Sequence, residues 1–180
     1  MVYVCLLRGI NVGSNAKVEM AKLRVSFEQL GFADVKTYIN SGNVIFSTEE
    51  SDPHKLCTRI EQTIEHDFGL VVPVIVRSLN QIESVIKQLP DDWVNDQTMK
   101  CDVLFLWDEI DSPEILQQIP HKPEIEDVVY IPGTLIWRID RANIGRGQLL
   151  RIVGTDIYRK LTIRNCNTVR KLYELMKNGS

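Results

Sequence analysis

Apolar residues change their spacing several times along the chain, and each change marks an element. Residues 2–8, Val-Tyr-Val-Cys-Leu-Leu-Arg, are a β-rich apolar run and predict a strand. Met20, Leu23, Phe27 and Leu30 then recur at helical spacing, and Gly31 follows as a stop that tolerates positive φ. Residues 35–47 read as a hairpin around the turn cluster Asn40-Ser41-Gly42. Leu56, Cys57, Ile60 and Ile64 place a second amphipathic helix between Pro53 and Gly69. Residues 70–77 are apolar and β-branched, which predicts another strand. Pro73 inside it has no N–H for a ladder, so that strand belongs at an edge. The order β-α-β-β-α-β is the split βαβ arrangement of ferredoxin-like domains. In that arrangement the fourth strand lies at an edge, where Pro73 is tolerated.

The second half starts with a helix over 79–89 and a polar loop, Pro-Asp-Asp-Trp-Val-Asn-Asp. A strand follows at 101–107, a short helix at 112–119, and two strands at 127–131 and 134–140 joined by Pro-Gly. This repeats β-α-β-β. The tail then reads as one or two helices, with no eighth strand. Val169, Leu172, Tyr173 and Met176 form a stripe that starts a terminal helix near Thr168, with Asn167 or Thr168 as its cap. The expected fold class is α/β (α+β): two ferredoxin-like α/β-plait subdomains, residues 1–78 and 79–180, with mainly antiparallel sheets and a C-terminal helix. No internal sequence repeat or low-complexity segment breaks this reading.

Composition narrows the picture further. At 180 residues, 44% hydrophobic and 25% charged, the chain is an ordinary globular sequence with enough length for a real core. It holds no run of about 18 uncharged apolar residues, so no membrane span is expected. The N-terminal apolar run is too short and lacks the leading basic residue of a signal peptide, which points to the cytoplasm. Cys5, Cys57, Cys101 and Cys166 make no Cys-x-x-Cys pair, and free thiols are expected rather than disulfides or a zinc site. A net charge of −3 argues against a general nucleic-acid coat. The charge is unevenly spread, however. Residues 1–47 hold five basic and three acidic side chains, residues 48–137 six and eighteen, and residues 138–180 ten and three. A basic tail and an acidic middle fit either internal pairing or a local anion site.

Two segments carry candidate chemistry. Arg-Gly-Ile-Asn-Val-Gly-Ser-Asn-Ala-Lys, residues 8–17, follows a strand and precedes a helix. Glycines let backbone approach a ligand, a helix N-terminus favours anions, and Arg8 and Lys17 would add positive charge. The spacing is not that of a P-loop, because Gly9 and Gly13 are followed by Ser14 with no Gly-Lys-Ser/Thr ending, and no Gly-x-Gly-x-x-Gly occurs. Asn11 either contacts a ligand or satisfies its own backbone. The second segment is Leu161–Leu172, Leu-Thr-Ile-Arg-Asn-Cys-Asn-Thr-Val-Arg-Lys-Leu. Arg164 is a forked donor suited to carboxylate or phosphate, or to bracing an internal acid. Asn165, Asn167 and Thr168 exceed what one cap needs. Arg146, flanked by Gly145 and Gly147, and Lys160 lie nearby in sequence, as do Arg141 and Arg151. A ferredoxin-like sheet is expected to keep the first-strand exit and the hairpin turn at opposite ends, which separates residues 8–17 from residues 39–44.

Catalytic sets are thin. His54 and His66 fall on a surface helix and His121 in a loop, without ligand spacing or a Ser/Asp signature. Asp91, Asp92 and Asp96 lack the glycine and terminal glutamate of a calcium loop. No catalytic residue, metal or cofactor is expected.

Three stretches together, LLRGINVGSNAKVEMAKL, TYINSGNVIF and GTDIYRKLTIRNCNTVRKL, resemble the bacterial family catalogued as domain of unknown function 1697. The resemblance implies two ferredoxin-like subdomains and supplies no activity. It also implies one departure, since the family carries a bulky aromatic in the tail motif where this chain has Cys166. Cys166 is therefore not expected to be a required nucleophile.

The leading expectation is a small anionic ligand, phosphate-bearing and nucleotide-like, held by Arg8, Asn11, Lys17, Arg146, Lys160, Arg164, Asn165, Asn167 and Thr168. The alternatives are a single-stranded RNA-binding module, with Tyr3 and Phe46 as base-stacking aromatics or else as core, and an enzyme of unrecognised type. The sequence gives neither the ligand nor the oligomeric state.

Overall fold

A computed structural model of the chain describes residues 1–12 and 16–178. Gly13 and Ser14, read above against the P-loop pattern, lie outside the described residues. By contacts the chain forms two compact units, Met1–Ile82 with the segment from Leu172, and Glu83–Lys171.

The first unit runs β1 (Val2–Leu7), α1 (Met20–Gln29), β2 (Ala33–Tyr38), β3 (Asn43–Ser47), α2 (Pro53–Phe68) and β4 (Val74–Ser78). The strands form one antiparallel sheet in the order β2-β3-β1-β4. Tyr3, Cys5 and Leu7 of β1 and Val44 and Phe46 of β3 share a core with Leu23 and Phe27 of α1 and Leu56, Ile60 and Ile64 of α2. The alternate residues Val4, Leu6, Ile45 and Ile75 are buried as well. Burial of both faces explains why β1 reads as a continuous apolar run rather than an alternation. α2 is bounded as its sequence dictates. Asp52 accepts from His54 N–H at 2.9 Å, Pro53 opens the first turn, and Gly69 closes the helix at φ +66°.

The expected strand over 70–77 is shorter in the structure, because β4 begins only after Pro73. With no N–H to give, Pro73 contributes its carbonyl alone, which accepts from Arg8 N–H at 3.0 Å. β4 does lie at the sheet edge. It passes without a loop into α3 (Leu79–Gln88), and Ser78 and Gln81 cap that junction reciprocally. Gln81 N–H donates to Ser78 Oγ at 3.3 Å, and Ser78 N–H donates to Gln81 Oε1 at 2.9 Å.

The second unit repeats the order with β5 (Met99–Leu106), α4 (Ile115–Gln118), β6 (Glu126–Ile131), β7 (Thr134–Asp140), α5 (Asp156–Arg159) and β8 (Leu161–Asn165). Its sheet is again antiparallel, ordered β6-β7-β5-β8. Leu104, Leu135, Trp137 and Leu161 face a core completed by Ile115, Ile119, Leu149 and Ile152. An eighth strand therefore exists, contrary to the sequence reading, and it is the polar stretch Leu-Thr-Ile-Arg-Asn. The strand holds because Leu161 and, in part, Ile163 alternate into the core while β5 supplies the ladder. The final helix α6 (Cys166–Lys177) starts earlier than expected, directly after β8. Its cap is Asn165, whose Oδ1 accepts from Thr168 N–H at 2.8 Å, rather than Asn167 or Thr168. Two antiparallel sheets with matching strand order make the α/β class and the two ferredoxin-like subdomains consistent with what the chain folds into.

Gly42 shows how tightly the end of the first sheet is built. Its φ is +77°, and an added Cβ would lie 2.7 Å from Leu7 Cβ and 2.8 Å from Ile10 Cδ1. Gly31 has φ +83° but open space around the same position. Gly31→Ala is expected to cost only backbone strain, roughly 1–3 kcal/mol. Gly42→Ala is expected to add overpacking of roughly 1–3 kcal/mol. Urea denaturation of both variants measures the difference, and equal losses would show that Leu7 and Ile10 give way freely.

Candidate functional site

The exit of β1 and the β2–β3 turn meet at the same end of the sheet. The sequence reading placed them at opposite ends, and antiparallel pairing corrects it: Leu6 lies opposite Asn43, and Leu7 N–H donates to the Gly42 carbonyl at 2.8 Å. Asn11 then ties the loop to the turn. Its Nδ2 lies 2.8 Å from the Asn40 carbonyl and 3.0 Å from the Val18 carbonyl, donating to both, while its Oδ1 accepts from Val18 N–H at 2.8 Å. The same Nδ2 lies 3.9 Å from Met20 Sδ, at the first residue of α1. One carboxamide thus gathers the loop, the turn and a helix start.

Backbone strain concentrates here. Gly9, Asn11, Ala16, Ile39 and Gly42 all have positive φ, half of the ten such residues described. Ile39 is the costliest of them, because a β-branched side chain at φ +50° is held there only by its surroundings. Charge is one-sided too. Residues 1–18 and 35–48 contain Arg8, Lys17 and Lys36 and no Asp or Glu. α1 begins after Glu19, whose side chain makes no cap bond, and its first turn carries no acidic residue. Arg8 is half-buried and Lys17 exposed.

The remaining six predicted residues belong to the second unit, and most are engaged in building it. Arg164 is 7% exposed and donates to Thr162 Oγ1 at 3.0 Å and to the Ile163 carbonyl at 2.8 Å. Asn165 caps α6. Asn167 grips the loop before β5, donating to the Asn95 carbonyl at 2.9 Å and accepting from Asn95 N–H at 3.3 Å. Thr168 is buried in the first turn of α6. Lys160 pairs with Glu109 at 2.6 Å, and exposed Arg146 reaches Asn143 Oδ1 at 3.3 Å. Arg141 holds the same loop as Asn167, through the Asp96 carbonyl and Asn95 Oδ1.

Two other regions place aromatic or titratable side chains together. Tyr3 and Phe46 are buried and stack at 5.8 Å, with Phe32 stacked on Phe46 at 4.4 Å, so they offer no platform for a base. A groove of about 560 Å³ between α1 and α2 is lined by Ala21, Lys22, Val25, Ser26, His66 and Asp67. Asp67 sits between Ser26 (2.5 Å) and His66 (2.7 Å), and these hydrogen bonds hold its carboxyl below the ordinary value. The row is not a nucleophilic triad, because the histidine does not touch the serine. Among the described residues no group of His, Cys, Asp and Glu could hold a metal ion, and no helix is long and apolar enough to cross a membrane.

Sequence reasoning missed Glu126. Only 2% exposed, it accepts from Lys122 N–H and Gln148 N–H at 2.8 Å, Leu149 N–H at 3.0 Å and Trp137 Nε1 at 3.2 Å. Burial works to raise its pKa, but the four donors outweigh burial and hold the carboxyl below the ordinary glutamate value. Gly147 passes so close that a Cβ there would lie 3.0 Å from Glu126 Oε1, which is why the glycine beside Arg146 is needed. Glu126→Gln is expected to cost roughly 1–3 kcal/mol near neutral pH by leaving buried donors unpaired. Because the folded pKa is depressed, this stabilisation is fully present above the unfolded value, roughly 4.3, and is lost as pH falls through the folded value. Urea midpoints of wild type and variant should therefore converge on acidification. A gap that widens as pH falls would contradict the assignment.

The comparisons match this architecture. A solved structure described as a conserved bacterial protein, SP0830 from Streptococcus pneumoniae, is similar over 97% of this chain and 98% of its own, with 27% identity and a TM-score of 0.82. No curated protein matches. The family model described as protein of unknown function (DUF1697) matches residues 1–137, a span that contains the β1 exit and the β2–β3 turn but not the tail stretch 154–172. The chain belongs to that family of proteins of unknown function, DUF1697.

Proposed function

We propose that the end of the first sheet binds a small anionic, phosphate-bearing ligand, with Arg8 and Lys17 supplying charge and Asn11 fixing the loop that presents them. The observation that carries the reading is the Asn11 clasp. It gathers two acid-free segments bearing three cations and an uncapped helix start, at a place where the backbone is strained. Helix N-termini and basic side chains act together on anions, since the free N–H groups and the dipole favour negative charge. The tail residues Arg164, Asn165, Asn167 and Thr168 are left to their structural bonds in this reading, so the site is confined to the first unit.

Thermal unfolding against nucleotides, sugar phosphates and short single-stranded RNA tests it. A ligand at 100 times its dissociation constant adds about 2.7 kcal/mol of stability. The expected result is a saturable shift by one mononucleotide or sugar phosphate that Lys17→Ala reduces, with the variant's own unfolding temperature unchanged. A shift that Lys17→Ala and Arg8→Ala both leave intact moves the site elsewhere. A response to RNA alone, steepest at low salt, favours the RNA reading instead.

A further inference from the structure

Cys101 and Cys166 are expected from the sequence to be free thiols, and buried thiols in apolar surroundings are usually inert. These two stand differently. The β5–β8 ladder ends at the pair Asp102–Asn165, and Cys101 and Cys166 lie one residue beyond that pair on the same side. Partners in that ladder have Cα atoms about 4.5–5.5 Å apart, and a disulfide spans roughly 4.4–6.8 Å, so the residues next to the last pair start near that range. The two thiols are close enough for each to shift the pKa of the other. Cys166 is also the first residue of the twelve-residue helix α6, where the dipole favours a thiolate. Its Sγ lies 3.8 Å from Arg170 Nη1, 3.5 Å from the Trp93 carbonyl oxygen and 3.5 Å from Asn167 Oδ1.

We propose that Cys101 and Cys166 are a reversible oxidation site, at which a hydroperoxide converts the two thiols to a disulfide joining β5 to the start of α6. The roles divide by environment. The influence of each thiol on the other lowers the Cys166 pKa and raises that of Cys101, and the Arg170 charge lowers Cys166 further against the opposing effect of burial. Cys166 is the attacking sulfur. It displaces hydroxide from hydrogen peroxide as the O–O bond breaks, and the hydroxide takes the Cys166 proton to leave as water. Cys101 then attacks the resulting sulfenic sulfur, and its proton departs with the hydroxyl group as a second water. Two thiols lose two electrons, and one peroxide gains them.

Both sulfurs are fully buried, so oxidant must enter by a local opening. The segment against Cys166 is the loop over 90–98, which contains neither helix nor strand. α6 holds it from one side. Arg170 donates to the Pro90 carbonyl at 2.7 Å and the Trp93 carbonyl at 2.8 Å, and Asn167 binds Asn95. Asn167 thus governs access without touching the oxidant.

The test is peroxide treatment of the purified chain, alkylation of remaining thiols under denaturing conditions, and peptide mapping by mass spectrometry. Cys5 and half-buried Cys57 serve as internal comparators. The expected result is loss of two hydrogens, a linked peptide carrying Cys101 and Cys166, and full reversal by a thiol reductant. Cys101→Ser should stop at a one-oxygen adduct on Cys166, and Asn167→Ala should speed the linkage several-fold. If Cys101 and Cys166 both remain alkylatable while Cys57 oxidises, the proposal is overturned. Should the serine variant fail to fold, the wild-type peptide map and the Asn167→Ala rate decide alone.

Discussion

Leu7 gives its N–H to the carbonyl of Gly42, and much of the first unit follows from that bond. An antiparallel partner must start where its neighbour ends, so the exit of β1 is held against the turn that opens β3. The turn can come this close only because Gly42 has no Cβ, and Ile10 fills the space that a side chain would need. Asn11 then has a carbonyl within reach, and the loop toward α1 is pinned to the sheet end. Strand pairing, glycine, clasp and helix start form one dependency, in which each member requires the one before it.

The second unit solves a comparable problem with charge. Its loop after β7 returns to the sheet without regular strand or α-helical backbone over 141–155, leaving N–H groups that no ladder satisfies. Glu126 collects two of them, together with Lys122 N–H and the indole of Trp137. A buried carboxylate with four donors is costly to assemble and strongly specifying once assembled, because no neighbouring register presents the same set.

The elements of the first unit were legible because its apolar residues keep period and its stops are glycines. Met20, Leu23, Phe27 and Leu30 trace α1, Gly31 and Gly69 mark helix ends, and Pro73 marks an edge. β8 was not read, although Leu161 and Ile163 alternate as a strand should. Arg164, Asn165 and Thr162 drew attention to ligand chemistry in a stretch where they serve a ladder, a cap and each other. The candidate site was legible as residue types and not as a place. Arg8, Asn11 and Lys17 stood out in sequence, but their meeting with the hairpin turn depends on strand register, which a linear pattern does not carry. Glu126 gave no signal, since a lone glutamate at the head of a strand looks like any surface acid.

In both units the fourth strand runs into a helix with no residue between them. Ser78 and Asn165 are each the last residue of a strand and the cap of the helix that follows. Such a junction has no slack. Adding one residue to the strand would turn its inward side chains outward, and the same residue would rotate the following helix by about 100° about its axis. Length variation is therefore closed to these two joints, and the chain can grow or shrink only where loops separate its elements. The junctions act as fixed pins that set the rotational phase of α3 and α6 from the pleat of the strands before them.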